Sequence, residues 1–266
     1  MKKLFVFIFG LGLLTLVQSC GLLSAAGLSK QGLSAKEAPA DLSEANSVSA
    51  VVVDHSAWTA LLQKHVNPAG FVNYKGFIAD KSALDSYCEY ISSFAPDDSW
   101  SIQEQLAFYI NLYNAYTVKL IVDNYPTKSI KDLDGPWTKA FVPIGNKMIS
   151  LGGIENSLLR KMNEPRIHFA INCASYSCPK LLDEAFDGNR IDAQLERVTS
   201  DFINGDKNDI KADNASVSQL FNWYKGDYLT NGITTVTAYI NQYSDVKIDA
   251  QVALTFKEYD WALNEQ

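Results

Sequence analysis

Basic residues are scarce in this 266-residue chain. Its 23 Lys and Arg are outnumbered by 30 Asp and Glu, which gives a formal net charge of −7. The basic residues form no dense stripe, so the sequence does not favour nucleic acid as a partner. No internal repeat is visible, so a repeat architecture is not expected. Histidine and cysteine are rare as well, with three and four copies.

Long apolar runs are also missing. The run from Leu4 to Val17 follows the basic start MKK, and it is shorter than the roughly 20 residues that a membrane-spanning helix needs. It therefore predicts a secretory signal over residues 1–20. The signal places the chain outside the bacterial cytoplasm, in the periplasm or at the outer membrane.

The end of the signal resembles a lipobox. In LVQSC, small Ser19 precedes Cys20, although Gln18 departs from the usual pattern. We expect lipidation at Cys20, which makes the membrane a partner through an N-terminal lipid anchor. The alternatives are ordinary cleavage within the small-residue sequence SAAG and an uncleaved anchor.

Composition divides the remainder of the chain. Residues 21–50 are rich in Ser, Ala, Gly and Lys and predict a flexible tether. Residues 51–266 are rich in aromatics and predict a single lobed domain, of a size that buries about 70% of its unfolded surface. Helical patterns dominate residues 51–135 and short strand patterns residues 136–266. The fold class is therefore α+β, with a small, mostly antiparallel sheet.

The few cysteines carry most of the functional signal. If Cys20 is lipidated, an odd number is left, so an oxidising compartment leaves a free thiol or an intermolecular bond. Cys88 lies on the apolar stripe of a predicted helix over 82–94 and is expected in the core. The other two lie in HFAINCASYSCP, residues 168–179, together with a histidine.

The first part of this segment, from His168 to Asn172, predicts a buried strand. The turn-rich ASYSCP that follows predicts a bend after Asn172. A thiol at such a bend, just before a helix, favours the thiolate form. Cys173 is then a candidate nucleophile and His168 its base.

Three other interpretations stay open. A metal site would use His168, Cys173 and Cys178, but the five-residue gaps are unlike structural zinc sites and no fourth ligand is evident, so no metal or cofactor is predicted. A Cys173–Cys178 disulfide suits an exported protein. His168 can also have a purely structural role.

Three further polar residues are candidates for the site. Glu155 can orient the imidazole ring. Asn111 and Asn114 share one face of the long helix predicted from Ser101 to Asn124. Each asparagine either orients the ring, stabilises an oxyanion, or ties down a neighbouring loop.

Several ordered motifs make the sequence similar to a known family. They are FYINLYNAYTV, SLGGIENSLLR, PRIHFAINCASYSCPKL, FNWYKGDY and YDWALN. Over most of residues 55–264 the chain resembles the domain of unknown function 547 family. The resemblance implies a helical lobe packed on a permuted papain- or transglutaminase-like core. It also implies Cys173 as nucleophile, His168 as base, Glu155 as acidic partner and Asn111 as part of the polar motif.

Two positions depart from the family pattern. Tyr109 stands where Trp is usual, which we interpret as packing. Asn156 stands where many members have His; if that histidine is the working base, this chain is inactive.

These observations give two functional hypotheses. The first is a thiol-dependent hydrolase or acyl transferase of the bacterial envelope, acting on peptide or protein amide bonds. The second is an inactive envelope binding protein with an aromatic cleft, whose candidate residues are Trp137, Trp223, Tyr224 and Trp261.

Overall fold

The computed structural model describes residues 22–266. Its first half is helical, as the sequence predicts. The helices are α1 (Ser56–His65), α2 (Tyr74–Ala79), α3 (Lys81–Ser92) and α4 (Ile102–Asp123), with short 3-10 helices at Leu42–Glu44 and Ile130–Asp132.

Helix α4 is the centre of the core. Ser101 caps it by accepting a hydrogen bond from the Glu104 N–H at 3.1 Å. Glu104 does not complete the capping box, because its carboxylate accepts from the Val53 N–H at 2.7 Å. Nearly every side chain of α4 is buried, so the helix is enclosed by the rest of the domain rather than covering it on one face.

The second half contains short elements. These are β1 (Val142–Ile144), β2 (Lys147–Ile149), α5 (Leu151–Gly153), a π-helical turn (Ile154–Leu158), 3-10 helices at Leu159–Met162 and Pro165–Phe169, α6 (Ile191–Ile203), β3 (Asp209–Ile210), β4 (Ala215–Val217), α7 (Leu220–Trp223), α8 (Val236–Tyr243) and β5 (Thr255–Phe256).

The strands form two small sheets. Strands β1 and β2 pair antiparallel, and the second sheet has the order β3-β4-β5, antiparallel and then parallel. The described chain is thus a mixture of helices and small sheets, which confirms the α+β class at this level.

The predicted strand at His168–Asn172 is wrong. Residues Pro165–Phe169 form a 3-10 helix, which Glu164 caps by accepting from the Arg166 N–H at 3.1 Å. Proline suits the first helical position. A short, fully buried apolar run has no periodicity that separates a strand from a helix, and this ambiguity explains the error.

Residues 22–50 differ from the predicted flexible tether. Leu33, Ala38 and Leu42 are buried in the core. The Ala38 N–H donates to the Met162 carbonyl at 2.6 Å, and the Tyr109 hydroxyl donates to the Ser34 carbonyl. The segment therefore packs on the domain, because its few apolar residues find buried positions.

The predicted signal over residues 1–20 and the lipidation site at Cys20 lie outside the described residues. Within residues 22–266, no helix combines the length and apolar character that crossing a bilayer requires.

Candidate functional site

A cleft of about 380 Å³ brings together residues that are far apart in sequence. It lies between the π-helical turn, the segment after Pro165–Phe169, helix α7 and the C-terminal segment. Its polar and aromatic lining consists of Tyr113, Trp137, Glu155, Asn156, His168, Cys173, Cys178, Trp223, Tyr224, Tyr259 and Trp261. The three residues predicted as catalytic thus share one cleft.

The two cysteines of the cleft form a disulfide with a Cα–Cα distance of 6.3 Å. The predicted bend is present, since Ala174 adopts a left-handed φ of 61°. The Asn172 side chain holds it by accepting from the Ala174 N–H at 2.8 Å and donating to the Pro179 carbonyl at 2.7 Å. Of the alternatives that the sequence left open, the structure contains the disulfide, so Cys173 is not a free thiol here.

Hydroxyl groups surround the two sulfurs. The Tyr259 hydroxyl lies 3.4 Å from the Cys173 sulfur and 3.2 Å from the Cys178 sulfur, and the Ser175 hydroxyl lies 3.2 Å from that of Cys173. Burial raises the pKa of Tyr259, so its hydroxyl keeps its proton and remains a hydrogen-bond donor at neutral pH.

The remaining described cysteine has a different environment. Cys88 is buried in the core, as predicted. Burial raises the pKa of its thiol to about 12, so it has little thiolate character.

His168 is held by a carboxylate that sequence reasoning missed. Its Nε2 lies 2.8 Å from Oδ2 of Asp227, and the ring stacks on Tyr224 with centroids 3.9 Å apart. Arg160 donates to both Asp227 oxygens, at 2.6 and 2.8 Å. Burial alone would raise the pKa of Asp227, but hydrogen bonds from Arg160 and His168 lower it below the usual range.

Among the described residues, Glu155, the predicted orienting partner, makes no hydrogen bond to the His168 ring. Glu155 Oε1 accepts from the Tyr224 hydroxyl at 2.5 Å, and the π-helical turn positions this carboxylate. Burial and then the Glu155 charge raise the pKa of Tyr224, which keeps that hydroxyl protonated. Among the described residues, no hydrogen bond joins the His168 ring to either sulfur.

The two asparagines of α4 have separate roles. Asn114 lies beside the site: it donates to the Ala170 carbonyl at 3.0 Å and accepts from the Asn172 N–H at 2.8 Å. Asn111 instead binds the backbone of Phe186 in both directions, at 2.8 and 3.0 Å. Both are tied to backbone groups, and Asn111 lies away from the cleft lining.

The aromatic residues predicted for a cleft all line this one. Trp261 is central: its ring packs edge-on against Trp137 at 5.8 Å and stacks with Trp223 at 5.9 Å. Trp223 is 45% exposed, so part of this wall faces solvent. Lys131 places its Nζ 5.0 Å from the Trp261 ring centroid.

Asn156, the departure from the family pattern, also lines the cleft. Its amide donates to the Ala25 carbonyl at 2.8 Å and its oxygen accepts from Arg160 at 2.9 Å. Within residues 22–266, no group of three or more His, Cys, Asp or Glu side chains could hold a metal ion.

Fold and site together define a mixed α+β domain with an aromatic cleft that contains a disulfide and a histidine hydrogen-bonded to a carboxylate. Residues 98–203 match the model of a family described as "Protein of unknown function, DUF547". This match supports the family resemblance and includes Glu155, His168 and both sulfurs. Asp227 and Tyr259 lie beyond it, within the motifs FNWYKGDY and YDWALN. No curated protein and no solved structure matches the chain.

Proposed function

We propose that the chain is an exported, lipid-anchored binding protein of the bacterial envelope. Its ligand is an apolar group that carries a positive charge, such as the amine-bearing side chain of a peptide. The observation that carries this proposal is the convergence of Trp137, Trp223, Tyr224 and Trp261 on a single cleft.

The aromatic rings and the carboxylate of the cleft favour a cationic ligand. Aromatic faces attract cations, and they do so more strongly where water is excluded. Among residues 22–266, Glu155 is the only carboxylate that lines the cleft, and no Lys or Arg of that range lines it. Lys131 already places an ammonium group near the Trp261 ring, so one aromatic ring of the cleft has a cation beside it within the chain itself.

The test is a titration with benzyltrimethylammonium, followed by tryptophan fluorescence and calorimetry. The cation should bind at least tenfold more tightly than neutral benzyl alcohol. Trp223→Ala should weaken binding at least fivefold, because it removes an exposed face of the wall. Phe256→Ala, at a similarly exposed aromatic outside the cleft, should leave binding unchanged. Equal affinity for the two probes, or no effect of Trp223→Ala, would refute the proposal.

A second candidate is the thiol-dependent hydrolase or acyl transferase with a papain- or transglutaminase-like core. It is favoured by the shared cleft of Cys173, His168 and Glu155. In this candidate, an external dithiol first reduces the Cys173–Cys178 disulfide by thiol–disulfide exchange and is itself oxidised to a disulfide. His168 then takes the proton of the Cys173 thiol, and the thiolate attacks an amide or similar acyl carbon. The amine leaves with a proton returned by the imidazole, and water or an acceptor then releases the acyl group.

Alkylation with iodoacetamide separates the two candidates. If the chain is a thiol enzyme, reduced Cys173 should alkylate well below pH 8, and His168→Ala should abolish this reactivity. If it is a binding protein, neither thiol is activated by His168. After reduction, both should then label slowly and equally.

A further inference from the structure

The first described residues are fixed to the domain beside the cleft. Residues 22–28 make a single helical turn, in which the Leu28 N–H donates to the Leu23 carbonyl at 2.8 Å. The Ser157 hydroxyl donates to the Ser24 carbonyl at 2.6 Å, and the Asn156 amide donates to that of Ala25 at 2.8 Å. Since Asn156 also lines the cleft, one side chain joins this turn to the site.

The contact is close and specific. Gly27 has a φ of 77°, and a Cβ at this position would lie 3.1 Å from the Asn156 carbonyl oxygen. Ser24 has no exposed surface. The turn is therefore packed on the domain, and the Asn156 side chain connects it to the cleft.

This turn also carries exposed apolar side chains. Leu22, Leu23 and Leu28 are 59%, 46% and 74% exposed. Three large aliphatic side chains within seven residues thus expose apolar area to water, which is unfavourable. We call these three residues the leucine surface.

The sequence that precedes the leucine surface favours a lipid bilayer as its partner. The apolar run from Leu4 to Val17 and the predicted lipid site at Cys20 precede it directly. Cys20 and Leu22 are two residues apart, and two extended residues span about 7 Å. A chain anchored at Cys20 therefore has no long tether, and the bilayer lies within reach of these leucines.

We propose that the leucine surface rests on a lipid bilayer and holds the aromatic cleft beside the headgroup layer. This proposal depends on the predicted anchor at Cys20 and is independent of what the cleft binds. Leucine side chains suit the boundary between headgroups and acyl chains, where a short apolar face adds to a lipid anchor. The cleft would then sample ligands at the membrane surface rather than at a distance from it.

The test uses the full chain, purified from membranes and reconstituted into phosphatidylcholine vesicles with a nitroxide on a fraction of the headgroups. Tryptophan fluorescence should be quenched at least twofold more in the natural chain than in Leu22→Ser/Leu23→Ser/Leu28→Ser, with both proteins pelleting with the vesicles. The matched control is Val48→Ser/Val246→Ser, which replaces exposed aliphatic side chains elsewhere and should keep the full quenching.

Two results would overturn the proposal. The first is equal quenching of the natural chain and the triple variant while both are anchored. The second is a full chain that does not associate with vesicles. Neither result affects the benzyltrimethylammonium titration, which is performed without lipid. Failure of the membrane proposal is therefore distinguishable from failure of the binding function.

Discussion

The two ends of the cleft are built from different chemistry. At the imidazole end, His168, Asp227 and Arg160 form a chain of charge-assisted hydrogen bonds. At the sulfur end, the Cys173–Cys178 disulfide is surrounded by neutral hydroxyls of Ser175 and Tyr259. A partly buried ion pair is costly to break, whereas a disulfide with neutral partners can be reduced without leaving a buried charge. The imidazole end is therefore suited to hold the structure, and the sulfur end to change.

The largest stability effect is expected at the imidazole end. Asp227→Asn removes the charge that Arg160 and His168 share. Breaking such a pair leaves an uncompensated guanidinium, and because the site is partly exposed we expect a loss of about 2–3 kcal/mol. Urea unfolding measures it. Asp213→Asn, at an exposed aspartate, should change stability by less than about 0.5 kcal/mol. Equal stability of both variants would show that the Asp227 charge does not stabilise the imidazole end of the cleft.

The same carboxylate predicts an acid dependence. The pKa of Asp227 is lowered in the folded state, so the folded chain binds fewer protons at this group than the unfolded chain. Its contribution is complete above the unfolded value of about 3.9 and is lost as pH falls below it toward the folded pKa. Asp227→Asn should flatten the fall in stability with pH in this range. If stability falls with pH in the same way in Asp227→Asn and in the natural chain, Asp227 is not the source of this acid dependence.

The sulfur end should show a smaller effect. The disulfide closes a loop of only a few residues, so removing it costs about 2 kcal/mol in the chain-entropy account. Dithiothreitol should lower the melting temperature of the natural chain. It should have no effect on Cys173→Ser/Cys178→Ser, because the remaining described cysteine is buried and unpaired. A melting temperature insensitive to dithiothreitol would show that the sulfurs are not joined in solution.

The contrast between the two ends also explains what sequence could predict. The sulfur end is local: Cys173 and Cys178 are five residues apart, and the turn residues between them predicted the bend. The imidazole end joins His168 to Asp227 across 59 positions. Glu155 was the predicted partner because it precedes the histidine in a short helix, and Asp227 was not considered. No pattern in the sequence specifies that its carboxylate instead accepts from Tyr224.

In helix α4, too, the sequence predicts the element but not the partners of its polar side chains. Its cap and apolar spacing made the helix predictable. Asn111 and Asn114 are three residues apart, as the predicted shared face requires, but their amides bind different backbone segments. One residue turned out to hold Phe186 and the other the backbone before Cys173. Tertiary packing decided between these roles, since an amide can satisfy any nearby backbone group.

The smallest change is expected from Tyr259, which touches both sulfurs through one hydroxyl. Tyr259→Phe keeps the ring that packs on Trp261 at 4.6 Å, so the loss of stability should be about 1 kcal/mol or less. In the reduced protein, however, the missing donor no longer stabilises a thiolate, and the pKa of Cys173 should rise. The pH dependence of iodoacetamide labelling measures that shift by mass spectrometry. Tyr176→Phe, at an exposed tyrosine between the two cysteines, is the control and should label like the natural chain. If Tyr259→Phe labels identically too, the hydroxyl does not act on the sulfur, and the two ends of the cleft differ only in charge.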